Sequence, residues 1–365
     1  MLLRRDRPAS KNQKGLIDSE IAIMSKVMKL DRAYRTAACR WLISAIFGLA
    51  SGLVGPAPMR AQELEKLVIG HSNLRNDIAA LWVPKELGLF RKHGIDATIV
   101  LITGGARMTQ AMLSGSAPMA FTGATPVVTA VGGGADSVLI LGINNKLTYD
   151  IWAKAEIKKP DELKGKTIGI SGFGSSSHVA SFLMLQHFNL DEKRDKISFV
   201  AIGDEPTRAQ AVLAGRIDAT LVDASISSQL KGKGPTYLGN LEQLGVPFVN
   251  NALVTTRVFL KERGKTAEAV VRAIVETNGF ILNPANRATV TNILAKNLRL
   301  AADDARHAYN DLIPKVERRP YPNLDAIRAT IKIIGDRNAK IAQLKTEDIV
   351  DTSILRRLDQ SGVIR

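Results

Sequence analysis

The sequence has 365 residues, more than a typical single domain, and 45% of them are hydrophobic, so the chain can form two cores. Its formal net charge is +15, but residues 1–61, with 11 basic and 4 acidic side chains, account for +7, and the remaining basic residues are scattered. Because no block of five like charges, zinc motif or helix-turn-helix signature occurs, the composition does not indicate nucleic-acid binding.

The N-terminal segment has the order of a secretory signal peptide. Basic residues in 29–40 precede an apolar run, 41–54, which is followed by small and helix-breaking residues up to Ala61. The run is too short to span a bilayer, and Cys39 precedes it, whereas a lipid anchor would need a cysteine after it. We therefore expect residues 1–61 to be a leader cleaved after Ala61, and the mature protein to be periplasmic without a lipid anchor.

The stretch before this signal is unusually long. Residues 1–28 are polar and contain Met24 and Met28, and translation from either would give a leader of ordinary length. Cys39 is the single cysteine, so neither an internal disulfide nor a cysteine-rich metal site is possible. The mature protein is expected to contain no cysteine.

From residue 65 the sequence alternates between strand and helix patterns. Strands are predicted at 66–70, 97–102, 118–121 and 138–142, with helices at 78–87, 106–113 and 126–131. Strands separated by helices indicate parallel β-α-β units. Ligands bind beyond the carboxyl ends of such strands, so the loops 71–77, 103–105 and 122–125 are predicted to converge.

A loop of glycine and serine follows the strand predicted at 166–171. The sequence TIGISGFGSSS, residues 167–177, leads into a helix predicted at 178–188. Glycine permits close approach of a ligand, serine can cap the helix, and the free N–H groups of a helix start favour an anion. The loop is interpreted as a binding loop without catalytic groups; an ordinary turn with a serine cap is the alternative.

An internal repeat indicates two similar lobes. Residues 110–125 align without gaps with residues 210–225, with five identities in sixteen positions. Both segments have the pattern of a helix ended by glycine, at Gly115 or Gly215, followed by a turn and an apolar strand.

The remaining patterns complete the second lobe and return to the first. Strands are predicted at 197–202, 237–241 and 250–256, and helices dominate 262–300 and 323–345. We expect these helices to cover the first lobe, with two crossings near 150–156 and 249–254. The expected boundaries are 62–153 with 252–365 for the first lobe and 154–251 for the second.

No enzyme signature is present. The chain lacks a Walker loop, a full dinucleotide fingerprint and a G-x-S-x-G elbow, and adjacent residues such as Ser177 and His178 at a helix start do not face one another. The five histidines show no metal-ligand spacing. We expect no catalytic residue, metal or cofactor. Asp223, at the end of the strand ATLVD, either accepts hydrogen bonds from a ligand or holds a loop.

Four segments resemble a known family in order along the chain. LWVPKELGLFRKHGIDATIV resembles the signature of the nitrate/sulfonate/taurine type of ABC-transporter substrate-binding proteins, the NMT1/THI5-like family. The other three are PDELKGKTIGIS (160–171), QAVLAGRIDATLVD (210–223) and KTEDIVDTSIL (345–355). The sequence departs from the pattern at Pro84, where alanine is usual, and at Ala117 with Pro118, where the family has an aliphatic residue and aspartate.

The resemblance implies a periplasmic-binding-protein fold of type II. Each lobe is an α/β unit with a mainly parallel sheet flanked by helices, and C-terminal helices lie on the first lobe. Such a protein would be a non-enzymatic monomer that closes over a small anionic or polar solute and delivers it to a membrane ABC permease. The alternatives are a regulator or sensor with this fold, which would need a DNA-binding helix pair before residue 65, and an enzyme on the same scaffold.

The expected binding residues lie in the loops of both lobes. The first lobe contributes Asn73, Asn76, Gly104, Gly105, Thr122, Gly123 and Thr125, and the second contributes Gly172, Gly174, Ser175, Ser176, Ser177 and Asp223.

Overall fold

The computed structural model describes residues 63–364, so the predicted leader and its cleavage site lie outside the described residues. The strands are β1 (Glu65–His71), β2 (Ile95–Leu101), β3 (Met119–Thr122), β4 (Val138–Asn144), β5 (Tyr149–Ala153), β6 (Thr167–Ile170), β7 (Ser198–Ala201), β8 (Ala219–Asp223), β9 (Thr236–Asn240) and β10 (Asn251–Thr255).

The first helices, which alternate with the strands, are α1 (Ala79–Glu86), α2 (Leu89–Lys92), α3 (Gly105–Leu113), α4 (Ala124–Gly132), α5 (Ser176–His187), α6 (Glu205–Leu213) and α7 (Ala224–Leu230). The C-terminal helices are α8 (Arg257–Glu262), α9 (Gly264–Leu282), α10 (Arg287–Leu298), α11 (Ala302–Leu312), α12 (Leu324–Gly335), α13 (Ala339–Ala342), α14 (Thr346–Ile349) and α15 (Ser353–Gln360). Short 3₁₀ turns occupy Asn76–Ile78, Pro160–Leu163, Leu241–Leu244, Pro284–Asn286 and Ile313–Lys315.

The strands of residues 63–364 form two sheets of five strands with the same layout. The first has the order β2-β1-β3-β10-β4 and the second the order β7-β6-β8-β5-β9. In each sheet the first three strands are parallel, as β-α-β units require. The fourth strand, β10 or β5, is antiparallel and directly follows a strand of the other sheet. We call each sheet with its helices a lobe, lobe 1 containing β1 and lobe 2 containing β6. The predicted two-lobed α/β fold is confirmed.

The internal repeat corresponds to equivalent structure. Helix α3 and strand β3 occupy the same places in lobe 1 as α6 and β8 in lobe 2, 100 residues later. Gly115 and Gly215 end the two helices with φ of 78° and 70°, a left-handed conformation that favours glycine.

Strand β5 was not anticipated from the sequence. The run YDIWA lies where a crossing between lobes was expected, yet it pairs with β8 and β9 inside the second sheet. All five residues are buried, so no alternation of polar and apolar side chains marks it as a strand. We therefore propose that the chain crosses between the lobes before Tyr149, and returns between Asn240 and Asn251.

Helices cover both faces of each sheet. In lobe 1, α1, α9, α10, α11 and α15 pack on one face of the sheet, while α3, α4, α12 and α14 pack on the other. The outer side of β4 is protected by the C-terminal segment: Leu139 bridges to Val350, and the N–H of Gly142 donates to the carbonyl of Pro320 at 2.9 Å. The C-terminal helices therefore complete lobe 1, as expected. No helix within residues 63–364 is long and apolar enough to cross a membrane.

Replacing Leu253 in β10 should test whether the returning strand holds lobe 1 together. Leu253 is fully buried in the core, so Leu253→Ala is expected to lower the free energy of unfolding by about 2–5 kcal/mol. The matched control is Leu101→Ala on edge strand β2, where the side chain is 40% exposed and the loss should be well under half as large. Equal losses in urea denaturation would contradict the assigned position of β10.

Candidate functional site

A buried polar cavity lies between the lobes, beyond the carboxyl ends of the parallel strands. Its volume is about 390 Å³, which includes the open mouth. Its walls are Ser72, Asn73, Arg75, Gly105, Thr122, Gly123, Tyr149, Ser171, Ser175, Ser176, Ser177, Asp204, Glu205, Arg208 and Asn250. Residues of both lobes therefore enclose one small polar cavity.

Seven of the predicted binding residues line this cavity. They are Asn73, Gly105, Thr122, Gly123, Ser175, Ser176 and Ser177. Lobe 1 and lobe 2 contribute loops that approach closely: a Cβ on Gly123 would overlap Ser176 Oγ and lie 3.0 Å from the carbonyl oxygen of Asn250. Glycine at 123 is thus required for this contact.

The other six predicted residues lie near the cavity but not on its walls. They are Asn76, Gly104, Thr125, Gly172, Gly174 and Asp223. The side chain of Asn76 donates to the carbonyl of Ala308 at 2.9 Å and so fixes α11. Gly104 has φ of 94°, and a Cβ there would lie 3.4 Å from the carbonyl oxygen of Ser171 in the other lobe.

The three serines of the loop all line the cavity but differ in their hydrogen bonds. Ser175 Oγ accepts the N–H of His178 at 3.3 Å and caps α5, and Ser177 Oγ accepts the N–H of Ser171 at 2.9 Å. In contrast, Ser176 Oγ makes no hydrogen bond with the residues that the structure describes. The capping role therefore belongs to Ser175, and ligand binding by the loop stays a prediction.

Arg75 is the central side chain that the sequence analysis missed. It lies between β1 and the turn Asn76–Ile78, only 1% exposed, and reaches into lobe 2. Its Nη2 lies 2.9 Å from Asp223 Oδ2, and Nη1 lies 3.7 Å from Glu205 Oε1. Burial lowers the pKa of Arg75, but Asp77, Asp223 and Glu205 together outweigh burial and raise it above the usual value. Arg75 therefore remains charged.

Asp223 binds protein side chains rather than facing the cavity. Besides Arg75, its carboxylate accepts from Thr148 Oγ1 at 3.1 Å and lies 3.2 Å from Lys315 Nζ. Lys315 belongs to the turn after α11, and burial lowers its pKa less than Asp223 and Asp311 raise it. Asp223 thus joins two cations of lobe 1 to the end of β8.

Glu205 and Arg208 form the wall of lobe 2 at the start of α6. Glu205 Oε2 accepts the N–H of Asp223 at 2.6 Å, and burial is the main reason that the pKa of Glu205 is raised. All three nitrogens of the Arg208 guanidinium donate to neutral oxygens, those of Thr220, Gly203 and Leu221. Each nitrogen of Arg208 therefore makes one hydrogen bond to the protein, which uses three of its five N–H donors.

Four buried polar atoms on the cavity wall have no partner among the described residues. They are Asn73 Oδ1, Arg75 Nε, Thr122 Oγ1 and Asn250 Oδ1. Leaving such an atom unsatisfied costs about 1–3 kcal/mol, so a ligand or water that pairs with these atoms would gain from doing so. Because they include both donors and acceptors, the site can bind a group that both accepts and donates hydrogen bonds.

The internal repeat could have identified Glu205 and Asp223 as unusual residues of lobe 2. Extended six residues upstream, it aligns Gly104 and Gly105 with Asp204 and Glu205, which are the N-cap and first residue of α3 and of α6. It also aligns Gly123 with Asp223. At these positions one lobe has a carboxylate and the other has glycine. Since both lobes have the same fold, the fold alone does not require the carboxylates. Arg75 had no such signal in the sequence.

No arrangement for catalysis or metal binding is evident in residues 63–364. His178 Nδ1 accepts the N–H of Gly174 at 3.2 Å and its ring packs against Phe173 and Phe182, so it is not paired with Ser177. No group of three or more potential metal ligands occurs in the described part of the chain.

Two α/β lobes of one topology around a polar cavity define the chain as a protein with the periplasmic-binding-protein fold. The chain belongs to the NMT1/THI5-like family, whose model matches residues 75–288. A protein of Brucella abortus with the general name of binding protein is 23% identical over 244 residues, 65% of this chain and 75% of the relative.

Solved structures share the fold at low sequence identity. The nitrate-binding protein NrtA of Synechocystis PCC 6803 has a TM-score of 0.69 at 14% identity, covering 83% of this chain and 91% of its own. The alkanesulfonate-binding protein SsuA of Xanthomonas axonopodis pv. citri, bound to MOPS, has a TM-score of 0.65 at 21% identity, covering 80% and 99%. A desulfurization enzyme also shares the fold, with a TM-score of 0.61.

Substituting Gly123 should prevent full closure of the lobes. The Cβ of Gly123→Ala would meet the Asn250 backbone, and such overpacking costs about 1–3 kcal/mol, which should lower the closed population about fivefold or more. Small-angle scattering should report a larger radius of gyration. Gly279→Ala, in α9 with no atom near the added Cβ, is the control and should scatter like the wild type. An unchanged radius for Gly123→Ala would contradict the close contact.

The free energy of unfolding should decrease as the pH is lowered, because of His178. Burial, and then the charge of Arg337, lower its pKa to about 4, so folded His178 stays neutral while the unfolded chain gains a proton below about pH 6.5. The contribution is therefore present above pH 6.5 and lost as pH falls towards 4. Allowing for partial exposure of the ring, His178→Asn should remove about 1–2 kcal/mol of this decline. Parallel wild-type and variant curves in urea denaturation between pH 7 and 4.5 would refute the assignment.

Proposed function

We propose that this protein captures a small anionic or polar organic solute between its lobes and delivers it to a membrane ABC permease. The observation that carries the proposal is the cavity with unpaired polar atoms from both lobes, Thr122 Oγ1 and Arg75 Nε among them. A solute that satisfies these atoms binds the closed arrangement better than the open one, and so shifts the population towards closure. The family membership and the names of the structural neighbours support this role.

The binding residues follow from the cavity walls. We propose that the starts of α3, α4 and α5, at Gly105, Gly123 and Ser176, present backbone N–H groups to the acidic or polar end of the solute. Helices α3 and α4 have glycine at the N-cap, Gly104 and Gly123, and make no side-chain cap, although the N–H of Ala124 in α4 already donates to the carbonyl of Val249 at 3.1 Å. Thr122 and Asn73 add side-chain contacts.

We further propose a periplasmic location after export, a monomeric state and a role without catalysis. The leader pattern supports the location, and the engagement of His178 by the Gly174 N–H leaves the cavity without a serine-histidine pair. A sensor function would use the same closure, but no feature of the described residues favours it over transport.

Solute capture should appear as ligand-dependent stability. The exported protein is screened by thermal shift against nitrate, bicarbonate, sulfonates, carboxylates and pyrimidines. A solute at about 100 times its Kd should add about 2.7 kcal/mol to the free energy of unfolding. Ser176→Ala should reduce this effect without lowering the stability of the free protein, since Ser176 Oγ makes no hydrogen bond within the described chain.

The control is Ser177→Ala, which removes the acceptor of the Ser171 N–H and should destabilise the protein without any solute. A panel that gives no stabilisation at all, together with fractionation of the protein in the cytoplasm, would refute the transport proposal.

A further inference from the structure

The ion cluster of Asp223, Arg75 and Lys315 joins the lobes beside the cavity rather than inside it. Asp223 of lobe 2 lies 2.9 Å from Arg75 and 3.2 Å from Lys315 of lobe 1. Only Arg75 of the three lines the cavity, and Asp223 and Lys315 are 0% and 5% exposed. The contact of Asp223 with Lys315 is therefore made by the lobes themselves, without any group of a solute.

Each cation of the cluster also has an acidic partner within lobe 1. Arg75 Nη2 lies 3.5 Å from Asp77 Oδ2, and Lys315 Nζ donates to Asp311, four residues earlier on α11. Because these pairs lie within one lobe, they can persist when the lobes separate. Opening then leaves neither cation without a carboxylate, and Asp223 is the charge that water must hydrate. The cluster can therefore break and form again.

The fold of the lobes does not account for these two buried charges. Lobe 1 has Gly123 after strand β3, where lobe 2 has Asp223 at the end of the equivalent strand β8, so the shared topology forms without a carboxylate. A buried lysine is costly unless a carboxylate meets it. Burial lowers the pKa of Lys315, but Asp223 and Asp311 raise it by more. Both charges therefore match the contact between the lobes.

We propose that Asp223 and Lys315 are positioning residues that close the lobes without a solute, and that they thereby set the affinity for every solute alike. The closed form is populated in the free protein, and a solute binds to this form. The apparent affinity of the cavity then scales with the population of the closed form. Closure is a property of the ion cluster alone, whereas its effect on affinity rests on the proposed function of the cavity.

Distances between two spin labels in the solute-free protein test closure directly. Labels at Arg107→Cys in α3 and Thr207→Cys in α6 place one probe in each lobe, on exposed side chains of equivalent helices. With Cys39→Ser, these are the only two cysteines in the sequence. Double electron–electron resonance should show a population with a short distance in the free protein. Gly123→Ala, in which the added Cβ prevents full closure, gives the long distance for reference.

Two variants assign the short distance to the ion cluster. Asp223→Asn should lower the ratio of closed to open protein about tenfold, because a buried hydrogen bond loses its charge. Lys315→Met should lower the ratio as well, and it retains the pair of Asp223 with Arg75. The double variant should lose less than the product of the two single losses, because either change alone already removes the contact. Asp161→Asn, the same change at a side chain of lobe 2 that is 70% exposed, should leave the ratio unchanged.

Solute binding gives a second readout, which a loss of stability alone would not produce. The nitrate, bicarbonate, sulfonates, carboxylates and pyrimidines that stabilise the wild type are titrated into both variants at a temperature where each variant is folded. Because Asp223 and Lys315 do not line the cavity, every solute should bind more weakly by one common factor. The order of affinity among the solutes should therefore stay unchanged.

Three outcomes in the free protein would overturn the inference. They are a wild type that shows only the long distance, a ratio that Asp223→Asn and Lys315→Met leave unchanged, and a double variant that loses the full product of the single losses. None of them depends on solute capture. A changed order of affinity would overturn the common effect on affinity. If no solute binds, solute capture fails, and the distances alone still decide whether the ion cluster closes the lobes.

Discussion

The buried ion pairs of Asp223 hold the two lobes in their observed arrangement. Asp223 ends a strand of lobe 2, while its partners Arg75 and Lys315 come from separate parts of lobe 1. All three side chains are at most 5% exposed. Breaking such a contact within the protein would leave an uncompensated buried charge, so the lobes can separate only if water reaches these groups as they part. The network therefore acts as a single unit during opening.

The ion pairs of Asp223 affect how strongly closure of the lobes depends on a solute. The attraction between Arg75 and Asp223 favours the closed arrangement, and the cost of removing water from three charges opposes it, so the net contribution is smaller than either term. The unpaired atoms on the cavity wall add a further cost to closing without a solute. A solute that pairs with the unpaired atoms removes their cost, and can therefore shift the equilibrium from the open to the closed arrangement with only a few contacts.

Most of the fold could be predicted from the sequence because it rests on local patterns. Apolar runs of strand length, helix periodicity and the glycine stops at Gly115 and Gly215 are readable one segment at a time. Strand β5 escaped because it is buried on all sides and short. The three serines, Gly105 and Gly123 were predicted from turn chemistry and line the cavity. Gly104, Gly172 and Gly174 share that chemistry but lie off its wall.

The charged residues of the site could not be predicted from local sequence patterns. Arg75 is 148 residues from Asp223, and nothing near either residue in the sequence indicates that an arginine will be buried. Only the comparison of one lobe with the other distinguishes Glu205 from a surface acid. A shared fold holds both helix starts in equivalent places, so their difference in side chains reflects what lies between them. In this cavity lobe 1 contributes the glycines Gly105 and Gly123, whereas lobe 2 contributes the carboxylates Asp204 and Glu205. A bound solute therefore meets different chemistry on the two walls.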